Sequence, residues 1–300
     1  MFDGFTLERI DVGEAELRVR HGGSGPPVVL LHGHPRTHVT WHRVAPLLVG
    51  SHTVVCPDLR GYGASSKPPS TPDHATYAKR AMARDVVALM ARLGHERFAV
   101  VGHDRGLYVA QRLTLDHPDV VTHLGVIDGV PIGSALARCD ARFAAAWWHW
   151  FFLAQPDRPE QVINADPDAW YGRRDDAAVR RNMGEEAWAD YRRAIHDPAT
   201  VHAMCEDYRA GLGPDRAADD ADRAAGRRIT CPVLVLWAGR DDLADLYDDI
   251  PGVWREWADD VTGLAIDAGH HVAEEAPTAL AAALLPFLTR PEARPTAAGS

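Results

Sequence analysis

Residues 98–107 read Phe98-Ala99-Val100-Val101-Gly102-His103-Asp104-Arg105-Gly106-Leu107. The first four residues are an apolar run of strand length. The run breaks at Gly102, and a helical stretch carrying Leu107, Val109 and Leu113 follows. A strand, a glycine-flanked turn and a helix therefore follow one another without a spacer. Such a turn presents its central side chain above the end of the strand, and the glycines let the backbone pass close to its neighbours. The central side chain here is the carboxylate of Asp104.

The same strand signal recurs on both sides. Val28-Val29-Leu30-Leu31 breaks at His32-Gly33, Thr53-Val54-Val55-Cys56 ends at Pro57-Asp58, and Leu124-Gly125-Val126-Ile127 ends at Asp128. Continuous apolar strands separated by helical segments predict a parallel sheet buried on both faces. Met82, Val86, Met90 and Leu93 recur at helical spacing, and Gly94 suits the stop of that helix. With the Gly-x-Asp-x-Gly turn in this setting, the expected fold is α/β, of the α/β-hydrolase type: a mostly parallel sheet flanked by helices.

The pattern changes after Asp128. Residues 131–228 hold helix-like stretches rich in Trp, Tyr, Arg and Asp, with no convincing strand. Strands resume at Pro232–Trp237 and Gly263–Ile266, and a helix is expected over Pro277–Leu288. The expected organisation is a core of residues 1–130 and 229–292, a helical cap inserted at 131–228, and a disordered tail at 293–300.

Composition bounds the function. The chain has 300 residues, 46% hydrophobic and 25% charged, the balance of an ordinary globular protein. The apolar stretches at 143–154 and 279–288 fall short of the ~18 residues of a membrane span. The N-terminus lacks the basic region and apolar core of a signal peptide. A net charge of -10 and the absence of a Lys/Arg run argue against nucleic acid as a partner. Cys56, Cys139, Cys205 and Cys231 are scattered, so neither a disulfide framework nor a metal site is expected, and a reducing cytoplasm is the simplest location.

A carboxylate at the turn selects the chemistry. A serine there would attack an acyl carbonyl. A carboxylate can displace a leaving group from saturated carbon and form an alkyl ester on the enzyme, which water then hydrolyses with help from a base. Halides and epoxide oxygens are suitable leaving groups. The alternative, Asp104 as a plain helix cap, leaves the glycines unexplained. The His32-Gly33-His34-Pro35 loop follows a strand, where such a loop supplies one backbone N–H to an oxyanion hole and Arg105 the other. Gly269-His270-His271 follows the strand ending at Ile266; His270, directly after the glycine, is preferred to His271 as base. The acid that orients it is Asp128, or Asp241 or Asp242 after the Val233–Trp237 strand. The apolar surroundings of Asp128 favour it, because a buried carboxylate needs a partner.

Taken together, the chain resembles the fluoroacetate, or haloacetate, dehalogenases. The resemblance runs from Phe5 to Leu288. It is densest at residues 40–46 (Thr40-Trp41-His42-Arg43), 58–63 (Asp58-Leu59-Arg60-Gly61), 102–106, His149-Trp150 and 206–211 (Glu206-Asp207-Tyr208-Arg209). It implies a cap-bearing α/β hydrolase that acts on a small molecule without cofactor or metal and pairs as a homodimer. By position it makes Asp104 the nucleophile, Asp128 the orienting acid and His270 the base. It also makes His149, Trp150 and Tyr208 the halide cradle; their N–H and O–H groups suit fluoride, a strong acceptor. Without the resemblance, the 147–151 aromatic run reads as packing, and Trp147 and Trp148 keep that reading.

Two positions depart from the family. A substrate carboxylate is usually held by two arginines; the first is Arg105, but Tyr108 occupies the second position. A phenol gives one hydrogen bond where a guanidinium gives a charged fork. His34 stands where an aromatic residue is common and changes the polarity of the pocket. Tyr108 suits an epoxide hydrolase, whose substrate needs no carboxylate clamp, and Asp241 or Asp242 lies where such enzymes often place the acid. A non-catalytic binding protein of the same fold is the reading of another class, although every triad member has a candidate.

Overall fold

The computed structural model describes residues 1–172 and 176–291. The tail expected to be disordered, 293–300, lies outside the described residues. Eight strands form one sheet: β1 (Thr6–Asp11), β2 (Glu16–Gly23), β3 (Pro27–Leu31), β4 (Thr53–Pro57), β5 (Phe98–His103), β6 (Val121–Ile127), β7 (Val233–Ala238) and β8 (Val261–Ile266). Their order is β1-β2-β4-β3-β5-β6-β7-β8. β2 pairs antiparallel with β1 and β4, and every other pairing is parallel.

The apolar runs become the central strands because both of their faces are covered. Val29, Leu31, Val55, Val100 and Val126 pack with Met82, Val86, Leu89 and Met90 of the Lys79–Arg92 helix on one face. Val28, Leu30, Val54, Val101 and Ile127 pack with Trp41, Leu48, Leu280 and Leu284 on the other. Burying each such side chain stabilises the fold by about 1.5–3 kcal/mol. β1 and β2 carry no apolar run. They form an edge hairpin in which Leu17 and Val19 alternate with polar residues, the period-two signature of a strand with one covered face.

Between β6 and β7 the described residues hold helices and no strand, from Ile132–Ala137 to Arg216–Ala224. This insertion lies over the carboxyl ends of the strands and is tied to the core by buried charge. Arg112 of the core pairs with Asp219 and Asp222. Asp207, on the Pro198–Ala210 helix, receives Lys79 and Arg105. The charged run before Arg228 is helical over Arg216–Ala224, with Asp219 and Asp222 buried in these pairs. Among the described residues no helix is long and apolar enough to cross a membrane.

Candidate active site

The carboxyl ends of β3, β5, β6, β7 and β8 converge beneath the inserted helices. Asp104 stands between β5 and the Arg105–Asp116 helix with φ +49° and ψ −122°, a conformation that L-residues rarely adopt. Such strain is sustained only where the surroundings impose it. They do so here by close approach: a Cβ at Gly102 would collide with the Gly106 carbonyl, and a Cβ at Gly33 would strike Asp104 itself. The turn therefore keeps the geometry the glycine spacing predicts.

The two oxygens of Asp104 are not equivalent. Oδ1 accepts the His34 backbone N–H at 2.7 Å. The Arg105 backbone N–H also favours the ionised carboxylate. Oδ2 lies 3.8 Å from His270 Nε2. His270, His103 and Arg105 hold the Asp104 carboxyl below its ordinary value against the cost of burial, so it is ionised at neutral pH. The loop that brings His34 into place is fixed by the buried His32, whose Nε2 accepts the Leu59 N–H at 3.0 Å.

His270 meets carboxylates at both ring nitrogens. Its Nδ1 is 2.7 Å from Asp128 Oδ2 and 3.2 Å from Asp241 Oδ2. Asp128 Oδ1 accepts the Ala238 N–H at 3.0 Å. Asp242 turns away and accepts the Trp147 indole N–H at 2.9 Å. Sequence reasoning set Asp128 against its two rivals; the structure brings Asp128 and Asp241 to the same nitrogen. His271 is buried beside them, its ring 5.2 Å from that of His270. The backbone of His270 is held by His103, whose Nε2 lies 2.7 Å from the His270 carbonyl oxygen. Nothing in the sequence singled out His103, since a histidine beside a turn glycine is an ordinary residue. His103, Asp128 and His270 offer ligand atoms within 4.8 Å of one another. Among the described residues the His270 Nδ1 is bonded to Asp128 and the His103 Nε2 to the His270 carbonyl, while the His103 Nδ1 is buried without a hydrogen-bond partner.

A cavity of about 480 Å³ opens above Asp104. His34, Tyr108, His149, Trp150 and Tyr208 all line it. The rings of His149 and Tyr208 meet edge to face at 5.9 Å, and Trp150 packs on Tyr108 at 5.8 Å. Among the described residues no hydrogen bond occupies the His149 imidazole, the Trp150 indole or the Tyr208 hydroxyl. Burial pushes His149 down to about 4 and His34 to about 3, so both rings are neutral. Burial and the Asp104 charge push the Tyr208 phenol well above its usual value, so it keeps its proton. Trp147 and Trp148, read from sequence as packing, also line the cavity, and Trp148 is 51% exposed.

Arg105, expected to hold a substrate carboxylate, does not line the cavity. Its Nη2 donates to the Asp207 carboxylate at 2.8 Å and to the Asp207 carbonyl at 2.9 Å. Its Cζ sits 4.2 Å from the centre of the Tyr208 ring. Among the described residues its Nη1 is buried without a hydrogen-bond partner. The reason is electrostatic: a guanidinium buried this deeply needs a counter-ion. Asp207 also receives Lys79 and the Tyr62 hydroxyl, at 2.5 Å for the latter. The sequence showed Asp207 only as part of a motif; its charge balance depends on residues far apart in the chain.

Comparison with known proteins places this geometry among relatives. The alpha/beta hydrolase fold family matches residues 26–277. A fluoroacetate dehalogenase from a Burkholderia species is 43% identical over 96% of this chain and 95% of its own. A soluble epoxide hydrolase from Corynebacterium sp. (strain C12) is 35% identical over 85% of this chain and 87% of its own. Among solved structures, a protein described as an alpha/beta hydrolase from Nostoc sp PCC 7120 superposes with a TM-score of 0.91 at 43% identity, covering 97% of this chain and all of that one, 100%. A mutant protein from Pseudomonas aeruginosa, described as an epoxide hydrolase with bound MFA, gives 0.85 at 48% identity, covering 95% and 96%.

Proposed function

The chain belongs to the haloacetate dehalogenase family of the α/β hydrolases, and from that premise we propose that it hydrolyses small 2-halo acids through an ester on Asp104. One observation carries the reading. Asp104 has no hydrogen bond on Oδ2 among the described residues and lines a cavity whose wall holds three donors that likewise carry none there, while its Oδ1 is already held by a backbone N–H.

Asp104 Oδ2 attacks the halogen-bearing carbon, and the carbon–halogen bond breaks as the carbon–oxygen bond forms. The halide departs toward His149, Trp150 and Tyr208. Each such donor contributes ~3 kcal/mol where charge develops. His270 Nε2 then takes a proton from water, whose oxygen adds to Asp104 Cγ. The negative charge that forms on Oδ1 is met by the His34 and Arg105 backbone N–H groups. Asp128 orients His270 and stabilises its charged form. The tetrahedral adduct collapses, the proton passes from His270 to the departing alkoxide, and a 2-hydroxy acid leaves. The substrate carboxylate is assigned to Tyr108 and His34, which line the cavity, with Arg105 behind them. The direct test is halide release from fluoroacetate and chloroacetate. Release of fluoride supports the full reading, chloride alone supports the class with a weaker cradle, and neither halide from folded protein sinks it.

Tyr108 and Asp241 favour a second reading, an epoxide hydrolase using the same nucleophile, with Tyr208 and His149 donating to the opening oxygen. The clamp separates the two. Arginine at 108 should restore a charged fork beside Arg105, whose own charge Asp207 neutralises. Tyr108→Arg is expected to lower KM for chloroacetate by roughly tenfold, the worth of a charged hydrogen bond. Steady-state kinetics measure it. An unchanged KM would place the substrate carboxylate elsewhere and move the weight to epoxides.

A further inference from the structure

Asp241 has no part in the scheme above, yet it is aimed at the same atom as Asp128. Its Oδ2 is 3.2 Å from His270 Nδ1, against 2.7 Å for Asp128 Oδ2. The two carboxylates come from neighbouring strands, one at the end of β6 and the other in the loop after β7. Each is fixed separately. Asp128 is anchored through its Oδ1 to the Ala238 N–H. The Asp241 loop is pinned to the end of β8: the Gly239 N–H donates to the Ile266 carbonyl at 2.7 Å and the Arg240 N–H to that of Ala268 at 3.0 Å. The Asp128 side chain is 2% exposed and that of Asp241 32%, so solvent screens Asp241 more.

We infer that Asp241 is a second positioning residue for His270: Asp128 accepts the Nδ1–H, Asp241 pairs with the same nitrogen at 3.2 Å as a second counter-charge, and either carboxylate can hold the ring with Nε2 facing Asp104. The inference rests on the reading of His270 as base for the Asp104 ester. A doubled partner makes the orientation of the base robust, and it places a second negative charge beside the ring.

The charge has a measurable consequence. The groups facing His270 are Asp104 across Nε2, Asp128 and Asp241 at Nδ1, and Asp242 in the same loop. The His103 and His271 rings lie at 4.8 and 5.2 Å, and His149 faces it from the inserted helices. His103 and His149 are held neutral by burial, each near 4. Asp128, Asp241 and Asp104 together raise His270 well above the ordinary imidazole value despite its burial. A base must be neutral to work. A raised value therefore places the gain of activity at higher pH, and loss of a carboxylate moves that limb to lower pH. Formation of the ester removes the charge of Asp104, so the ring loses affinity for its proton at the step that needs the base.

The test titrates ¹⁵N-histidine-labelled protein by NMR, without substrate, as wild type, Asp241→Asn, Asp128→Asn and the double variant. An opposite charge at this range moves a titration by about 1 unit or more. Asp241→Asn is expected to lower the His270 midpoint by about that amount, Asp128→Asn to lower it also, and the double variant to lie below both. In single-turnover hydrolysis of the ester formed from chloroacetate, each single variant should stay within about a hundredfold of wild type, and the double variant should fall below either. An unmoved midpoint in Asp241→Asn, with a double variant no slower than Asp128→Asn, overturns the inference. The titration needs no turnover. A wild type that forms no ester therefore counts against the dehalogenase reading, while the midpoints still decide the role of Asp241.

Discussion

Asp104→Ala protein is expected to fold and to release no halide from any halo acid, a loss of about 10⁴-fold or more in kcat. The effect is this large because the substitution removes a bond-forming atom. Without Oδ2 no ester forms, and the neighbouring groups cannot replace it. His270 Nε2 points into the same space, but Asp128 and Asp241 at Nδ1 still strengthen its hold on a proton, and His149 and His34, though neutral, belong to the walls of the cavity. Folding should survive. Asp104 is a largely buried charge, 15% exposed, in a strained conformation, and the fold gains little by keeping it; the His34 N–H that it releases faces a cavity that water can enter. A fluoride or chloride assay read beside circular dichroism checks both halves of the expectation. Turnover by folded Asp104→Ala would mean that the turn only caps its helix and that the reacting group lies elsewhere. Loss of structure would mean that the carboxylate is needed to close the turn over Gly33.

The fold was legible because its centre is written in local pattern. The apolar runs of β3 to β7 are buried on both faces, and the glycines at 102 and 106 let the backbone make a tight strand-to-helix turn. The β1–β2 hairpin escaped because its outer faces are solvated and its signal is alternation, with Leu17 and Val19 the only apolar residues of β2 that are buried. The site divided in the same way. Asp104, Asp128 and His270 each end a readable strand, so their meeting follows from the sheet order. Arg105 did not follow, because the direction of a buried guanidinium is set by whichever carboxylate the fold brings near. That carboxylate, Asp207, lies about a hundred residues away on a helix of the insertion. Trp147 and Trp148 read as packing for a similar reason: neighbouring aromatic residues fill a core or line a cavity equally well, and only the space above them decides. The rivalry between Asp128 and Asp241 could not be settled from sequence because it depends on two loops meeting at one nitrogen.

His270→Ala separates the two halves of the proposed reaction. The first half needs Asp104 Oδ2, the halide donors and the substrate clamp, and none of these depends on the imidazole for its place. Asp104 Oδ1 remains held by the His34 N–H at 2.7 Å, and Arg105 and His103 still favour the ionised carboxylate. Chloroacetate should therefore alkylate the variant. The second half needs a base within reach of a water at Asp104 Cγ, and the groups left around the gap are poor substitutes. Asp128 and Asp241 sit on the far side of the missing ring, and His103 is engaged with the backbone of residue 270. Removal of a positioned general base costs about 10²–10⁴-fold. The expected record is a burst of one chloride per chain followed by near-arrest, with the mass of the intact protein increased by one carboxymethyl group. Digestion should find that group on the peptide containing Asp104. Sustained turnover would show that another group activates the water, with His271 the first to examine. Arrest with neither burst nor added mass would show that His270 is needed before the ester forms, which the proposed mechanism does not allow. If chloroacetate leaves the wild type unalkylated as well, styrene oxide is the next probe, and a trapped hydroxyalkyl ester on Asp104 would assign the same nucleophile and base to epoxide opening.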